Sequence, residues 1–385
     1  MSRKLRMGMI GGSMDAFIGA VHRRAAALDG EIELVCGAFS SNPEKSKATG
    51  KALFIDPERV YGSFDEMIEK EKLLPEDQRM DFVSIVTPNH VHFAPAKAAL
   101  ENGFHVIIDK PLAFSVAEAK ALQKVVDKTG LILALTHTYT GYPLVKEARQ
   151  MVKSGKLGKI RKVYVEYPQG WLSTFVERSG NKQASWRTDP SKSGAGGAIG
   201  DIGTHAANLA EYITGSNITE INAMLNIVVK GRKLDDDSSM LVKFENGASG
   251  VLLATQVAAG EENNLNIRVY GEKGGLEWRQ EEPNTLVAKW LDKPKEIIRT
   301  GSGYLSDVAK LNTRTPSGHP EGYLEAFANI YLAFARAVRA YKPGKRIDPE
   351  KFDFPDVADG VRGMAFVDAV IKSSNSNKKW TQIKG

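Results

Sequence analysis

Asp201 and His205 stand four residues apart, just after the glycine-rich run Gly194-Ala195-Gly196-Gly197-Ala198-Ile199-Gly200. On a helix that spacing sets both side chains on one face, and a carboxylate one turn from an imidazole suits general acid–base chemistry. A capping aspartate and a satisfied core histidine would use the same two residues. No metal centre is expected, because the chain has a single cysteine, Cys36, and no second Asp/His pair of this kind. A cation with a fixed direction is offered by Asp109-Lys110-Pro111, where an X-Pro bond follows a strand. A surface lysine capping a turn is the plainer account of Lys110.

Near the amino terminus, Gly11-Gly12-Ser13 ends one apolar run, and Phe17, Ile18 and Gly19 begin a helical pattern. A glycine turn between strand and helix lets a pyrophosphate approach backbone N–H groups at the positive helix end. The spacing departs from Gly-x-Gly-x-x-Gly: Ser13 occupies the place of the second glycine, and extra residues precede Gly19. The next run ends in Ala38-Phe39-Ser40-Ser41-Asn42, with Lys45 beyond it and no carboxylate. Hydroxyls of Ser40 and Ser41 suit either a ribose or a 2′-phosphate, and no carboxylate repels the phosphate, so these residues leave NAD and NADP both open, NAD being the cofactor expected for the chain; a simple helix cap fits as well. Thr87-Pro88-Asn89, followed by His92, closes a third run and adds to the dinucleotide-binding set.

These residues need elements to position them. Leu5 to Ile10, Ile32 to Ala38, Phe82 to Val86, His105 to Ile108 and Leu131 to Leu135 are short apolar runs separated by helical patterns. That alternation predicts an α/β fold with an N-terminal Rossmann, doubly wound parallel sheet, whose carboxyl strand ends carry the ligand site. The polar stretch from Glu69 to Met80 reads as a surface excursion. After residue 136 the pattern changes. Alternating strands joined by Asn246-Gly247 and by Gly271 to Gly275 predict an α+β domain with a large, open-faced, mostly antiparallel sheet. The expected domains are 1–136, for the dinucleotide, and 137–385, for substrate and oligomerisation. Helical patterns at Glu321 to Tyr341 and Asp356 to Lys372 are expected to pack back onto the body.

The 385 residues, 42% hydrophobic and 25% charged, suffice for two buried cores. A net charge of +6 is thin, and the densest basic cluster, Lys153 to Lys162, has no aromatic residue among its charges. Nucleic acid is therefore not expected as a partner. No apolar run is long enough to span a membrane, and no signal peptide is evident, so a cytoplasmic location is expected.

Taken in order, the glycine turn, Thr87-Pro88-Asn89 with His92, Asp109-Lys110-Pro111, Trp186-Arg187 and the Asp201/His205 segment resemble the Gfo/Idh/MocA oxidoreductases. That is the group of glucose–fructose oxidoreductase and inositol 2-dehydrogenase. The resemblance spans essentially the whole chain, with Asp109 in place of the more common Glu. It implies Lys110, Asp201 and His205 as a catalytic trio, and a homodimer or homotetramer formed through the open-faced sheet. Substrate contacts are expected from Tyr139, Tyr142, Trp171 and Arg187, since aromatic faces suit the C–H faces of a sugar ring and cations suit its hydroxyls. His319 either reaches the same site or simply opens a late helix. The resulting expectation is hydride transfer from a secondary hydroxyl of a sugar, sugar derivative or cyclitol. The alternative is a redox-neutral, NAD-dependent glycosidase using the same residues. A non-catalytic dinucleotide-binding regulator is disfavoured, because the whole trio is retained.

Overall fold

The computed structural model describes residues 3–345 and 347–384. Two compact units emerge: Met1–Thr138 with Phe327–Val361, and Tyr139–Ala326 with Arg362–Gly385. Among the described residues no helix is long and apolar enough to cross a membrane.

In the first unit, strands β1 (Leu5–Gly11), β2 (Ile32–Ala38), β3 (Phe82–Val86), β4 (His105–Ile108) and β5 (Leu133–Leu135) form a parallel sheet in the order β2-β1-β3-β4-β5. Every residue of β3 and β4 is buried, as helices on both sheet faces require. The strand order reverses between β1 and β3, which opens a crevice at their carboxyl ends. Gly11 pairs with Val86 there, so the glycine turn and Thr87-Pro88-Asn89 leave the sheet side by side. Helix Phe64–Glu71, capped by the Ser63 hydroxyl on the Glu66 N–H, takes up the start of the stretch read as an excursion. It buries only Met67, Ile68 and Glu71, too few for a clear helical period.

Sequence reading places everything beyond residue 136 in the second domain, whereas the structure returns Phe327–Val361 to the first unit. The cause is a set of buried contacts. The Tyr331 hydroxyl lies 2.7 Å from His22 Nδ1 and 2.9 Å from the Ser84 hydroxyl. Phe334 meets Phe82 edge-on at 5.0 Å, and the Leu135 N–H donates to the Pro355 carbonyl at 2.8 Å.

The second unit carries β6 (Ile160–Pro168), β7 (Ile218–Asn226), β8 (Asp237–Phe244), β9 (Ser249–Thr255), β10 (Asn266–Gly271), β11 (Gly274–Arg279), β12 (Thr285–Trp290), β13 (Glu296–Arg299) and β14 (Thr381–Gln382). They form one sheet in the order β13-β12-β11-β10-β6-β9-β8-β7-β14. Neighbours run antiparallel except β6 and β9, which are parallel from Lys162/Ser249 to Pro168/Thr255. Helices Pro143–Lys153 and Thr204–Thr214 bury Leu144, Val145, Leu209 and Ile213 in one core with Val163 and Leu252 of the sheet. Burial alternates along β8, as a sheet with one covered face demands.

Tyr331→Phe leaves His22 and Ser84 short of a buried partner. It is expected to lower stability by roughly 1–3 kcal/mol, read as a lower urea midpoint; an unchanged midpoint would mean that the hydroxyl does not anchor the late helix.

Candidate active site

The glycine turn of the first unit is a cradle. Gly11 and Gly12 both adopt left-handed backbone, with φ of +82° and +73°. A Cβ on Gly11 would stand 3.0 Å from the Val86 carbonyl oxygen, and one on Gly19 only 2.4 Å from Gly12 Cα. Gly19 thus closes against the turn despite the extra residues before it. Ser13 is buried and donates to Asp15 Oδ1 at 2.6 Å, and Lys45 Nζ lies 2.7 Å from the other carboxylate oxygen. At the start of helix Phe17–Ala27, Phe17 is exposed and Ile18 half-buried. The Ser40 hydroxyl accepts from the Asn42 N–H, and Asn42 Oδ1 caps the Lys45 N–H, both at 3.1 Å; Ser41 is exposed. This stretch is therefore a helix entry, whatever else it contacts.

Across the crevice, Thr87 Oγ1 is buried with no hydrogen-bond partner among the described residues. Pro88 opens the short turn Asn89–Val91, and Asn89 is buried. His92 is buried as well, its ring nitrogens 2.7 Å from the Pro111 carbonyl oxygen and 2.8 Å from that of Thr87. It braces the loops after β3 and β4, and burial holds its pKa below the usual histidine value.

The Lys110–Pro111 peptide is cis. Beneath Lys110, Asp109 Oδ1 accepts from the Thr136 hydroxyl at 2.9 Å and lies 3.8 Å from His22 Nε2, an electrostatic rather than a hydrogen-bonded approach. Burial pushes the Asp109 carboxyl up. The nearby His22, Lys110 and His92 more than reverse this and hold it well below the usual carboxylate range. His137 is buried too, and burial together with the Lys110 charge pushes it down to about 3.

In the second unit, Asp201 sits in a π-helical turn, Ile199–Gly203, closed by the Thr204 N–H on the Ile199 carbonyl. Buried His205 lies in the α-helix that follows. The expected single helix is thus widened at the aspartate, a feature that recurs at functional sites. Asp235 fixes this entry, accepting the Gly197 N–H at 2.6 Å and the Ile199 N–H at 2.8 Å. A Cβ on Gly197 would stand 2.0 Å from the Asp235 carbonyl oxygen, so the approach needs glycine.

Asp201 Oδ2 accepts from Gln256 Nε2 at 3.0 Å and lies 3.4 Å from Arg187 Nε. Arg187 also stacks on Trp186 at 4.3 Å. Gln256 donates to Gln169 Oε1, which takes the Trp171 indole N–H at 3.0 Å. Gln169 and Tyr167 both donate to Asn263 Oδ1, at 2.6 and 2.7 Å, and Asn263 Nδ2 reaches the Tyr139 hydroxyl at 3.2 Å. The hydroxyls of Tyr139 and Tyr167 are hydrogen-bonded to each other. Tyr139 meets the His205 ring edge-on, with centroids 4.8 Å apart. Burial raises the phenol pKa values of Tyr139, Tyr142 and Tyr167 and keeps all three neutral.

Trp171, Arg187 and Tyr139 are thus brought to one network with Asp201 and His205. Tyr142 lies behind it, stacked on Tyr139 and packed against Trp278 in the core. His319 is exposed in its own loop, with Nδ1 3.3 Å from the Pro316 carbonyl oxygen, and none of the network bonds named above reaches it. Sequence reasoning missed Gln169, Gln256, Asn263 and Tyr167 in the network, Asp235 at the entry to the Asp201 turn, and, in the first unit, His22 beside Asp109.

The NAD-binding Rossmann-fold model of the GFO/IDH/MocA oxidoreductases matches residues 5–137, and their C-terminal domain model matches residues 145–277. The chain is 32% identical to the uncharacterized oxidoreductase YfiI of Bacillus subtilis, over 100% of this chain and 98% of that protein. The chain belongs to the Gfo/Idh/MocA oxidoreductase family. An inositol dehydrogenase homolog from Azotobacter vinelandii, solved with NAD+, has a TM-score of 0.92 at 34% identity, covering 99% of this chain and 98% of that one. Its complex with NADH and myo-inositol gives 0.89 and 33%, over 99% and 98%. Levoglucosan dehydrogenase of Pseudarthrobacter phenanthrenivorans is 26% identical over 99% of this chain and 98% of that protein. As a Gfo/Idh/MocA oxidoreductase the chain binds NAD through its Rossmann unit. Its own residues fit that group: the left-handed glycine turn leaves room for a pyrophosphate, and buried Thr87 Oγ1 waits for a partner.

Gly11→Val puts a branched side chain into left-handed backbone beside Val86. It is expected to weaken NAD binding by about tenfold or more in calorimetry; unchanged affinity would remove the turn from the site. Acid should also destabilise the first unit. Burial holds His105 at about 4 and, with the Lys110 charge, His137 at about 3. Both lie below their unfolded value, so the stability they confer is complete above that value and is lost as pH falls through it. Each contributes a slope of at most about 1.4 kcal/mol per pH unit, from roughly pH 6.5 down to its folded value. Urea midpoints measured from pH 7 downward should fall, and His137→Gln should flatten the fall; a flat wild-type profile would contradict the assignment.

Proposed function

We propose that this oxidoreductase removes hydride from a secondary hydroxyl of a sugar, sugar derivative or cyclitol, with Lys110, Asp201 and His205 handling charge and proton. The observation that carries the reading is the hydrogen-bonded network from Arg187 and Asp201 through Gln256, Gln169 and Asn263 to the two tyrosines beside His205. The A. vinelandii homolog solved with NADH and myo-inositol and the levoglucosan dehydrogenase support the substrate class.

The nicotinamide, when bound, supplies the hydride acceptor. His205, held edge-on by Tyr139, takes the hydroxyl proton. Asp201 keeps a negative charge one turn away and favours the imidazolium as it forms. The Lys110 ammonium donates to the developing alkoxide. Trp171 offers its ring face to substrate C–H groups while its N–H stays tied to Gln169, and Arg187 donates to hydroxyls. Assembly as a homodimer or homotetramer is supported by Met224 and Leu241, both exposed on one face of the nine-stranded sheet.

His205→Ala is expected to cut turnover by about 10²-fold or more with NAD affinity unchanged, measured on a panel of sugars, cyclitols and aryl glycosides. Wild-type turnover should accumulate one reduced nicotinamide per product. Near-normal turnover in the variant would overturn the general-base role. Release of many aglycones per cofactor, with no lasting reduced nicotinamide, would replace dehydrogenation by redox-neutral glycoside cleavage.

A further inference from the structure

We propose that Asp15, aligned by Ser13 and paired with Lys45, makes this chain select NAD over NADP, an inference that rests on the dinucleotide-binding reading of the first unit. In this fold an acidic residue at the end of the second strand commonly reads the adenosine ribose hydroxyls and repels a 2′-phosphate. Here β2 ends at Ala38 and runs into Phe39-Ser40-Ser41-Asn42, which holds no carboxylate. Two further departures lie in the glycine turn: a serine at the place of the second glycine, and extra residues before Gly19, Asp15 among them.

One arrangement joins all three. Ser13, 7% exposed, donates to Asp15 Oδ1 at 2.6 Å and fixes the carboxylate. Asp15 Oδ2 takes Lys45 Nζ at 2.7 Å. Lys45 stands on helix Pro43–Ala52, in the turn held by the Asn42 cap that directly follows β2. The carboxylate missing from the strand end is therefore supplied by the glycine turn. It also occupies the cation that a 2′-phosphate at this strand end would use. A ribose 2′-hydroxyl can donate to Asp15 without breaking the pair, whereas a phosphate must meet the carboxylate's charge or pull Lys45 away from it. Both side chains are partly open to solvent, at 47% and 41%, so a ribose can reach them. An ion pair so exposed adds little to folding, and its alignment by a buried serine is better explained by recognition.

The test is calorimetric titration of NAD and of NADP into the wild type, Asp15→Asn and the double variant Asp15→Asn/Lys45→Met, with no turnover involved. The wild type is expected to prefer NAD. Asp15→Asn should shift the affinity ratio toward NADP by about tenfold or more, the effect of one charge-assisted hydrogen bond gained and one repulsion removed. The double variant should lose the share of that gain carried by the freed Lys45 and keep only the share due to the removed repulsion. A wild type that prefers NADP, or a ratio unchanged in Asp15→Asn while NAD still binds, overturns the proposal alone. A wild type that binds neither dinucleotide overturns the dinucleotide-binding reading and the proposal with it.

Discussion

Two backbone N–H groups bonded to one buried carboxylate, those of Gly197 and Ile199 on Asp235, hold the Asp201/His205 entry of the second unit in place. A run with four glycines between residues 194 and 200 has no preferred conformation of its own and loses much entropy on ordering. Asp235 supplies the missing definition, and the π turn that follows inherits its direction. Burial pushes the Asp235 carboxyl up against the opposing pull of the two amides, leaving its pKa raised. Its neighbour Asp236 holds the chain that follows β7. It accepts from Val228, Val229 and Arg232, and Arg232 in turn holds Glu177 and the Thr174 carbonyl. Two adjacent aspartates ahead of β8 thereby anchor both the Asp201/His205 entry and the segment bearing Trp171 and Arg187.

The remaining members are neutral amides and phenols, and the sheet topology explains how they meet. β6 and β9 are the parallel neighbours of the sheet, so their carboxyl ends lie together and deliver Gln169 and Gln256 to the same spot. Asn263 arrives just before β10, antiparallel to β6. Such groups relay hydrogen bonds from the Asp201 carboxylate to Tyr139 and Tyr167 without adding charge around His205, which suits the proton-transfer role proposed for it.

Much of this was legible in the residues. Short β-branched runs and glycine breaks gave the five parallel strands, and the spacing of Asp201 and His205 marked the two residues for which an acid–base role is proposed. Gln169, Gln256 and Asn263 were not legible, because a neutral amide has no sequence period and these three meet only through strand order. Strand β11 was hidden for a steric reason: Gly274 and Gly275, read as part of a turn, begin the strand. A Cβ on Gly274 would stand 2.4 Å from the Lys289 carbonyl oxygen, and one on Gly275 2.6 Å from the Tyr270 ring. The return of Phe327–Val361 to the first unit rests on Tyr331 meeting His22 and Ser84, a contact across 309 residues in the first case, and no local pattern announces it.

The central claim is that His205, set by Asp235 and flanked by Tyr139, is the base that receives the substrate proton. A crystal structure of the ternary complex with NADH and a cyclitol tests it most directly. The account predicts the reacting hydroxyl oxygen within about 2.6–3.2 Å of a His205 ring nitrogen, with the Asp235 bonds to Gly197 and Ile199 intact. A cyclitol bound with that hydroxyl directed to another side chain, and the His205 ring out of its reach, would contradict it.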